Sequence, residues 1–74
     1  MASAEDGVVA GAESAAVVAA LRRLPTRQRE CLVLRYYADL SEAEIASTLG
    51  ITTGSVKTHA HRGLAALSHL LEDR

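Results

Sequence analysis

Five side chains that can donate hydrogen bonds crowd into a short stretch in the second half of the chain. They are Lys57, Thr58, His59, His61 and Arg62. At about 100° per residue, these side chains occupy the arc of a helix opposite the apolar residues that recur from Val56 onward. A helix with donors along its free side suits the major groove of DNA, where base edges offer hydrogen-bonding groups. The spacing therefore predicts a DNA-binding surface.

The start of this predicted helix also suits a polyanion. Gly54 and Ser55 are small enough to let the backbone approach a phosphate closely, and the free N–H groups of a first helical turn favour an anion. Either Thr52 or Thr53 can cap the helix.

Catalysis and metal binding fit these residues poorly. His59 and His61 are two apart, which places them about 160° from each other on a helix, so they cannot bind one metal ion. Cys31 lies on a different predicted helix from the histidines, so the sequence pattern does not bring a nucleophile and a base together. We expect no enzyme activity, no metal and no cofactor.

The elements that position the donors are two helices joined by a glycine turn. Ser41 and Glu44 have the spacing of a capping box at the start of the first helix. Gly50 stands where a helix end favours a residue with positive φ, and Ile51 follows as its apolar contact. The second helix then carries apolar residues at spacings of three and four from Val56. This order predicts a helix-turn-helix.

Two further helices precede this unit. The first is predicted from about Glu13 to just before Pro25, and the second from Pro25 or Thr26 to about Asp39. Tyr36 and Tyr37, near the end of the second, are expected in the core or at its rim. The predicted fold is all-α, a compact four-helix domain that contains the helix-turn-helix.

Residues 1–12 are small and acidic without clear periodicity, and they are predicted to be a disordered leader or the remnant of a linker. The folded domain is expected to span residues 13–74. The chain of 74 residues is 49% apolar but has only two aromatic residues, which suits packed helices with aliphatic cores.

The composition also bounds the compartment and the partners. A single cysteine, Cys31, cannot form an internal disulfide and is expected to be a small buried hydrophobe in a reducing compartment. The acidic start lacks the features of a secretory signal, and no apolar run is long enough to span a bilayer, so we expect a cytoplasmic protein without membrane contact. The net charge of -1 predicts modest DNA affinity that needs a partner.

The segment from Leu24 to Leu71 resembles region 4 of bacterial sigma factors of the extracytoplasmic-function group. The residues that carry the resemblance are LPTRQRE leading into LVLRYYADLSEAEIA, followed by LGITTGSVKTHAHRGLAAL. The resemblance implies that the second helix of the motif reads the -35 promoter element in double-stranded DNA. It also implies that the opposite side of the domain binds the β flap of RNA polymerase, and that an anti-sigma factor is a further partner.

Site residues follow from the resemblance position by position. Those that fall where the family touches bases or phosphates are Lys57, Thr58, His59, His61 and Arg62. Those that fall at the helix start near the DNA backbone are Thr52, Thr53, Gly54 and Ser55. Two positions depart from the family pattern: His59 stands where Arg is common, which should weaken phosphate attraction, and Gly63 stands where Ala is common, which costs about 1 kcal/mol of helix propensity. Region 2 is absent, so we expect an excised domain or a free-standing region-4-like protein.

Two alternatives remain open at this point. The VKTHAHRGLAAL segment also resembles the LuxR-type DNA-binding module of response regulators, although RYYADLSEAEIA favours a sigma factor. From a different class, the chain could be a protein-interaction module that binds an anti-sigma factor or polymerase with little DNA affinity, which the low net charge permits.

Overall fold

The computed structural model describes residues 15–72, which form four helices joined by short turns, without a strand in that range. The helices are α1 (15–22), α2 (Thr26–Tyr36), α3 (Glu42–Leu49) and α4 (Thr53–Glu72). The all-α class and the helix-turn-helix, formed by α3 and α4, are confirmed. The predicted leader and the predicted helix start at Glu13 lie outside the described residues and stay predictions.

The turn between α1 and α2 forms around Pro25, because the residue before a proline disfavours the helical conformation. The last turn of α1 tightens, with N–H groups of Arg23 and Leu24 donating to carbonyls three residues earlier, at 3.0 and 3.1 Å. Pro25 follows with φ of -54°, a value compatible with entry into α2. The prediction that the first helix ends before Pro25 is confirmed.

The end of α2 differs from the prediction, because the helix ends at Tyr36 rather than near Asp39. The N–H groups of Tyr37 and Ala38 both donate to the Val33 carbonyl, at 2.9 and 3.1 Å, which closes the helix. Asp39 then has a φ of 57°, a left-handed conformation that Asp tolerates better than most residues and that turns the chain toward α3. Neither glycine nor proline marks this turn, so the sequence carried no strong signal for it.

Helix α2 is the centre of the core and contributes to two apolar clusters on different faces. Cys31 packs in the first cluster with Ile45, Ala46 and Val56, beneath the helix-turn-helix. The second cluster contains Leu21, Leu24 and Leu32, at the junction of α1 and α2. Ala60 of α4 packs against both clusters and joins them. In the apolar run of α2, Cys31 and Leu32 are buried, as expected for Cys31, whereas Val33 and Leu34 are half-buried.

Three arginines of α2 tie the helix to neighbouring backbone carbonyls. They are Arg27, which donates to the Leu49 carbonyl at 3.4 Å, Arg29, which donates to Arg22 at 3.4 Å, and Arg35, which donates to Leu40 at 3.1 Å. The carbonyls of the last turn of a helix lack intrahelical donors, and cations are favourable there. These arginines therefore help to hold the ends of α1 and α3, and the turn before α3, against α2.

Helices α2 and α4 approach each other closely at Gly63. A Cβ atom at this position would lie 3.0 Å from Leu32 Cδ1 and 3.3 Å from Gln28 Cβ. Leu32 is buried, and the Gln28 Cβ is fixed by its own helix, so neither can move away freely. The glycine that seemed a cost to helix propensity is thus required by the packing of the two helices.

Gly63→Ala tests this close approach. We expect the free energy of unfolding to fall by roughly 1 kcal/mol, because overpacking a well-filled core outweighs the gain of about 1 kcal/mol in helix propensity. The measurement is urea denaturation followed by circular dichroism.

The control is Gly54→Ala in the same helix, where the nearest atom to a new Cβ is Thr52 Oγ1 at an ordinary 3.8 Å. That variant should be no less stable than the parent protein. A gain in stability for Gly63→Ala as large as the propensity difference would show that α2 and α4 are not in such close contact.

Candidate nucleic-acid interface

The first helix of the motif begins with the predicted capping box. The Ser41 hydroxyl accepts the N–H of Glu44 at 3.1 Å, and the Glu44 carboxylate accepts the N–H of Ser41 at 2.8 Å. This backbone hydrogen bond, followed by the one from the Ser41 side chain, holds the pKa of the Glu44 carboxyl below its ordinary value. The capping box therefore fixes the residue at which α3 begins.

The turn between α3 and α4 depends on Gly50. Its φ is 70°, and its N–H and that of Ile51 both donate to the Ala46 carbonyl, the latter at 3.0 Å. A residue with a Cβ adopts this left-handed conformation only at a cost, so glycine is favoured here. The predicted glycine turn is confirmed.

Thr52, rather than Thr53, caps the second helix of the motif. Its hydroxyl oxygen accepts the N–H of Ser55 at 3.0 Å, and the hydroxyl lies within hydrogen-bond distance of Ser55 Oγ, also at 3.0 Å. Helix geometry leaves the N–H groups of Thr53 and Gly54 without an intrahelical acceptor, and an anion is favourable at such a helix start. All of these residues except the half-buried Ser55 are exposed. Their contact with DNA stays a prediction.

The predicted donors lie together on the solvent side of α4. Lys57, Thr58, His61 and Arg62 are exposed, whereas Val56, on the opposite side, has no exposed surface. His59 is half-buried, because its position on the helix brings it next to the packed side. The structure therefore places all five donors on one helix and leaves four of them well exposed. Whether they touch bases or phosphates stays a prediction.

One charged residue of this surface was missed in the sequence. The Glu42 carboxylate, in the first turn of α3, lies 3.9 Å from the Lys57 ammonium group. The stretch from Lys57 to Arg62 contains no acid, but the packing of α3 against α4 brings one to it. Because the two residues are far apart in sequence and on different helices, no local pattern could have revealed this pair.

The described residues offer little for metal or thiol chemistry. Within 15–72, no three histidine, cysteine, aspartate or glutamate side chains are grouped as metal ligands. Cys31 has no exposed surface, and burial raises the pKa of its thiol, with smaller opposing effects of Arg27 and Glu30. A thiol that is both buried and harder to ionise behaves as a small apolar side chain.

Helices in this part of the chain also lack the combination of length and hydropathy that a membrane span requires.

A second exposed surface is an apolar groove between α1, α2 and α4. It has a volume of about 170 Å³ and is lined by Val17, Leu21, Leu32, Tyr36, Tyr37, Leu64 and Leu67. Tyr36 and Tyr37 are 60% and 65% exposed. Their rings are therefore more exposed than the expected packing in the core or at its rim. Leu64 was expected to face inward but is 43% exposed, because it lies about 80° from Val56 at the edge of the apolar arc. We call this surface the tyrosine groove.

Taken together, a capped α3, a left-handed glycine turn and an amphipathic α4 with exposed donors define a helix-turn-helix domain of the DNA-binding class. The sequence matches the family described as "Sigma-70, region 4" over residues 14–67. The chain belongs to this family and corresponds to region 4 of an extracytoplasmic-function sigma factor. The match decides between the two DNA-binding families considered above, in favour of the sigma factor over the LuxR type.

Curated relatives are similar over nearly the whole chain. The ECF RNA polymerase sigma factor BldN of Streptomyces coelicolor is 41% identical over 71 residues, which cover 96% of this chain and 27% of BldN. SigW of Bacillus subtilis is 41% identical over 69 residues, covering 93% of this chain and 37% of SigW. The chain therefore spans well under half the length of these relatives.

A solved structure supports the same fold. The structure described as the RsbN-BldN complex contains a chain with a TM-score of 0.74 and 39% sequence identity, and the match covers 86% of this chain and 46% of that one. The similarity in sequence and in structure thus points to the same relative, BldN.

The capping box predicts how stability depends on pH. Because the folded-state pKa of Glu44 is lowered, its contribution to stability is present above the unfolded pKa of about 4.3 and is lost as pH falls through the lower folded value. Glu44→Gln keeps a capping side chain that does not titrate. We therefore expect the parent protein to be the more stable at pH about 6, and the difference to shrink on acidification to about pH 3.

The measurement is the urea midpoint of both proteins across this pH range. A difference that stays constant, or grows as the pH falls, would contradict the assignment of the lowered pKa to the capping box.

Proposed function

We propose that this domain recognises the -35 promoter element through α4 and binds RNA polymerase during transcription initiation. The observation that carries the proposal is the row of exposed donors on α4, opposite the fully buried Val56 and braced by α3. In a helix-turn-helix, the second helix lies in the major groove, and the residues of its first turns contact base edges. Membership of the sigma region 4 family supports this geometry.

The residues divide into two groups by where they lie on α4. Lys57, Thr58, His61 and Arg62 lie along the exposed side and are proposed to meet base edges and nearby phosphates, with Arg62 suited to bidentate contact with guanine. His59 lies at the margin of this side. The helix start, from Thr52 to Ser55, is proposed to lie against the DNA backbone, where the N–H groups of the first turn favour a phosphate oxygen.

The low net charge of the chain favours a domain that a protein partner holds on the promoter. The net charge of -1 leaves little non-specific attraction to DNA, since phosphate neutralisation supplies most of that affinity. A domain held on polymerase is presented to the promoter at a high effective concentration and therefore needs only modest affinity of its own. Membership of the sigma region 4 family supports polymerase as this partner. The contact that we propose on polymerase is the β flap.

The tyrosine groove is the surface proposed for a protein partner. It is almost entirely apolar, and tyrosine side chains are frequent among residues that contribute strongly to protein–protein binding. BldN has been solved in a complex with RsbN, which supports the proposal that this domain also has a regulatory protein partner of the anti-sigma kind. The proposed role requires no catalysis and places the protein in the cytoplasm with the transcription machinery.

Arg62→Ala tests the DNA-reading role of α4. We expect promoter affinity to fall by roughly 1–3 kcal/mol if the guanidinium contacts a base, because such contacts carry discrimination of that size. The measurement is fluorescence anisotropy with duplexes selected by the protein from a random library. Arg23→Ala, which removes the same charge from an exposed site at the end of α1, is the matched control and should bind like the parent.

The same titrations distinguish the remaining alternative. If the parent protein bound a β flap fragment but no selected duplex under any condition, the domain would be a protein-interaction module. If Arg62→Ala and Arg23→Ala bound DNA equally well, the assignment of Arg62 would be wrong even though the domain binds DNA.

A further inference from the structure

We propose that Glu42 restrains Lys57 and so sets how strongly α4 engages DNA phosphates. The proposal rests on the proposed function, because it assumes that Lys57 faces DNA. It adds a residue of α3 that neither the sequence pattern nor the family resemblance assigns to the interface.

The placement of Glu42 is fixed by the start of α3. Glu42 is the first residue of this helix, and it directly follows Ser41, whose backbone and side chain are both held in the capping box. On the other side of the pair, the burial of Val56 fixes the rotation of α4 and with it the direction of Lys57. The carboxylate and the ammonium group therefore meet, 3.9 Å apart, because of how the two helices are anchored.

The pair is too exposed to matter much for folding. The side chain of Lys57 is 67% exposed and that of Glu42 is 39% exposed, and ion pairs in such positions contribute little to stability. Its consequence lies at the surface that α4 presents. Of the donors there, only Lys57 and Arg62 carry a formal charge when histidine is counted as neutral, so Glu42 offsets half of that positive charge.

DNA binding would have to separate this pair. When a DNA phosphate pairs with the Lys57 ammonium group, it replaces the Glu42 carboxylate as the partner of that group. The carboxylate is then unpaired and lies next to the negatively charged DNA. This competition weakens the phosphate contact without preventing it. A domain that polymerase carries to the promoter gains selectivity from such a restraint, because the sequence-independent part of its DNA affinity is reduced.

Glu42→Gln tests the restraint on the full 74-residue chain, with a random-sequence duplex of about 20 base pairs as the probe at low salt. We expect affinity to increase roughly two- to fivefold, the range that corresponds to separating an exposed ion pair. The gain should shrink toward 1 M salt, where the Debye length is about 3 Å. Urea denaturation of each variant checks that the fold is intact.

Two controls separate the restraint from a general change of charge. Glu72→Gln makes the same substitution at the far end of α4, about 22 Å along the helix from Lys57. At physiological salt this variant should leave affinity unchanged, whereas Glu42→Gln should still raise it. In a Lys57→Gln background, Glu42→Gln should give a clearly smaller gain, because no ion pair is left to break and only the repulsion between the carboxylate and the phosphates is relieved.

The outcomes are distinct. A gain that is larger when Lys57 is present and is screened by salt supports the proposal. An equal gain with and without Lys57, or no gain at all, overturns it, and the proposed function then still stands if Arg62→Ala weakens binding in the same assay. If the parent protein bound neither this duplex nor a selected promoter sequence, both proposals would fail together.

Discussion

The burial of Val56 is the constraint on which the rest of the structure depends. With no exposed surface, this side chain packs with Ile45 of α3 and Cys31 of α2, and so anchors the start of α4 to both neighbours. A rotation of α4 by one residue position, about 100°, would bring either Lys57 or the polar Ser55 into that cluster, with a desolvation cost that is largest for the charged lysine. The direction of the donors is therefore decided inside the protein, by apolar packing, before any nucleic acid is present.

Much of the motif could be predicted because its signals are local. Ser41 and Glu44 are three residues apart and satisfy each other's backbone, and Gly50 is the residue that a left-handed helix end favours. The side of α4 that carries the donors follows from the apolar spacing that begins at Val56. In each case the physical cause lies within one or two helical turns of the residue that reveals it, so the sequence alone is sufficient.

Features that depend on how helices meet could not be predicted in this way. The contact of Lys57 with Glu42 requires the angle between α3 and α4, which no periodicity encodes. The helical pattern placed Leu64 with the inward side chains. In the structure α2 packs closely against Gly63, on the other side of the apolar arc, and Leu64 lies in an open groove. The turn at Asp39 was missed because it uses a left-handed backbone conformation that glycine usually signals.

The division of the core into two clusters separates the packing beneath the two exposed surfaces. Ala60 packs against both clusters, but its side chain is a single methyl group and contributes little contact area to either. The second cluster holds α1, whereas the capped α3, its glycine turn and the beginning of α4 depend on the first cluster. The contacts that direct the donors of α4 are thus largely separate from those that line the tyrosine groove.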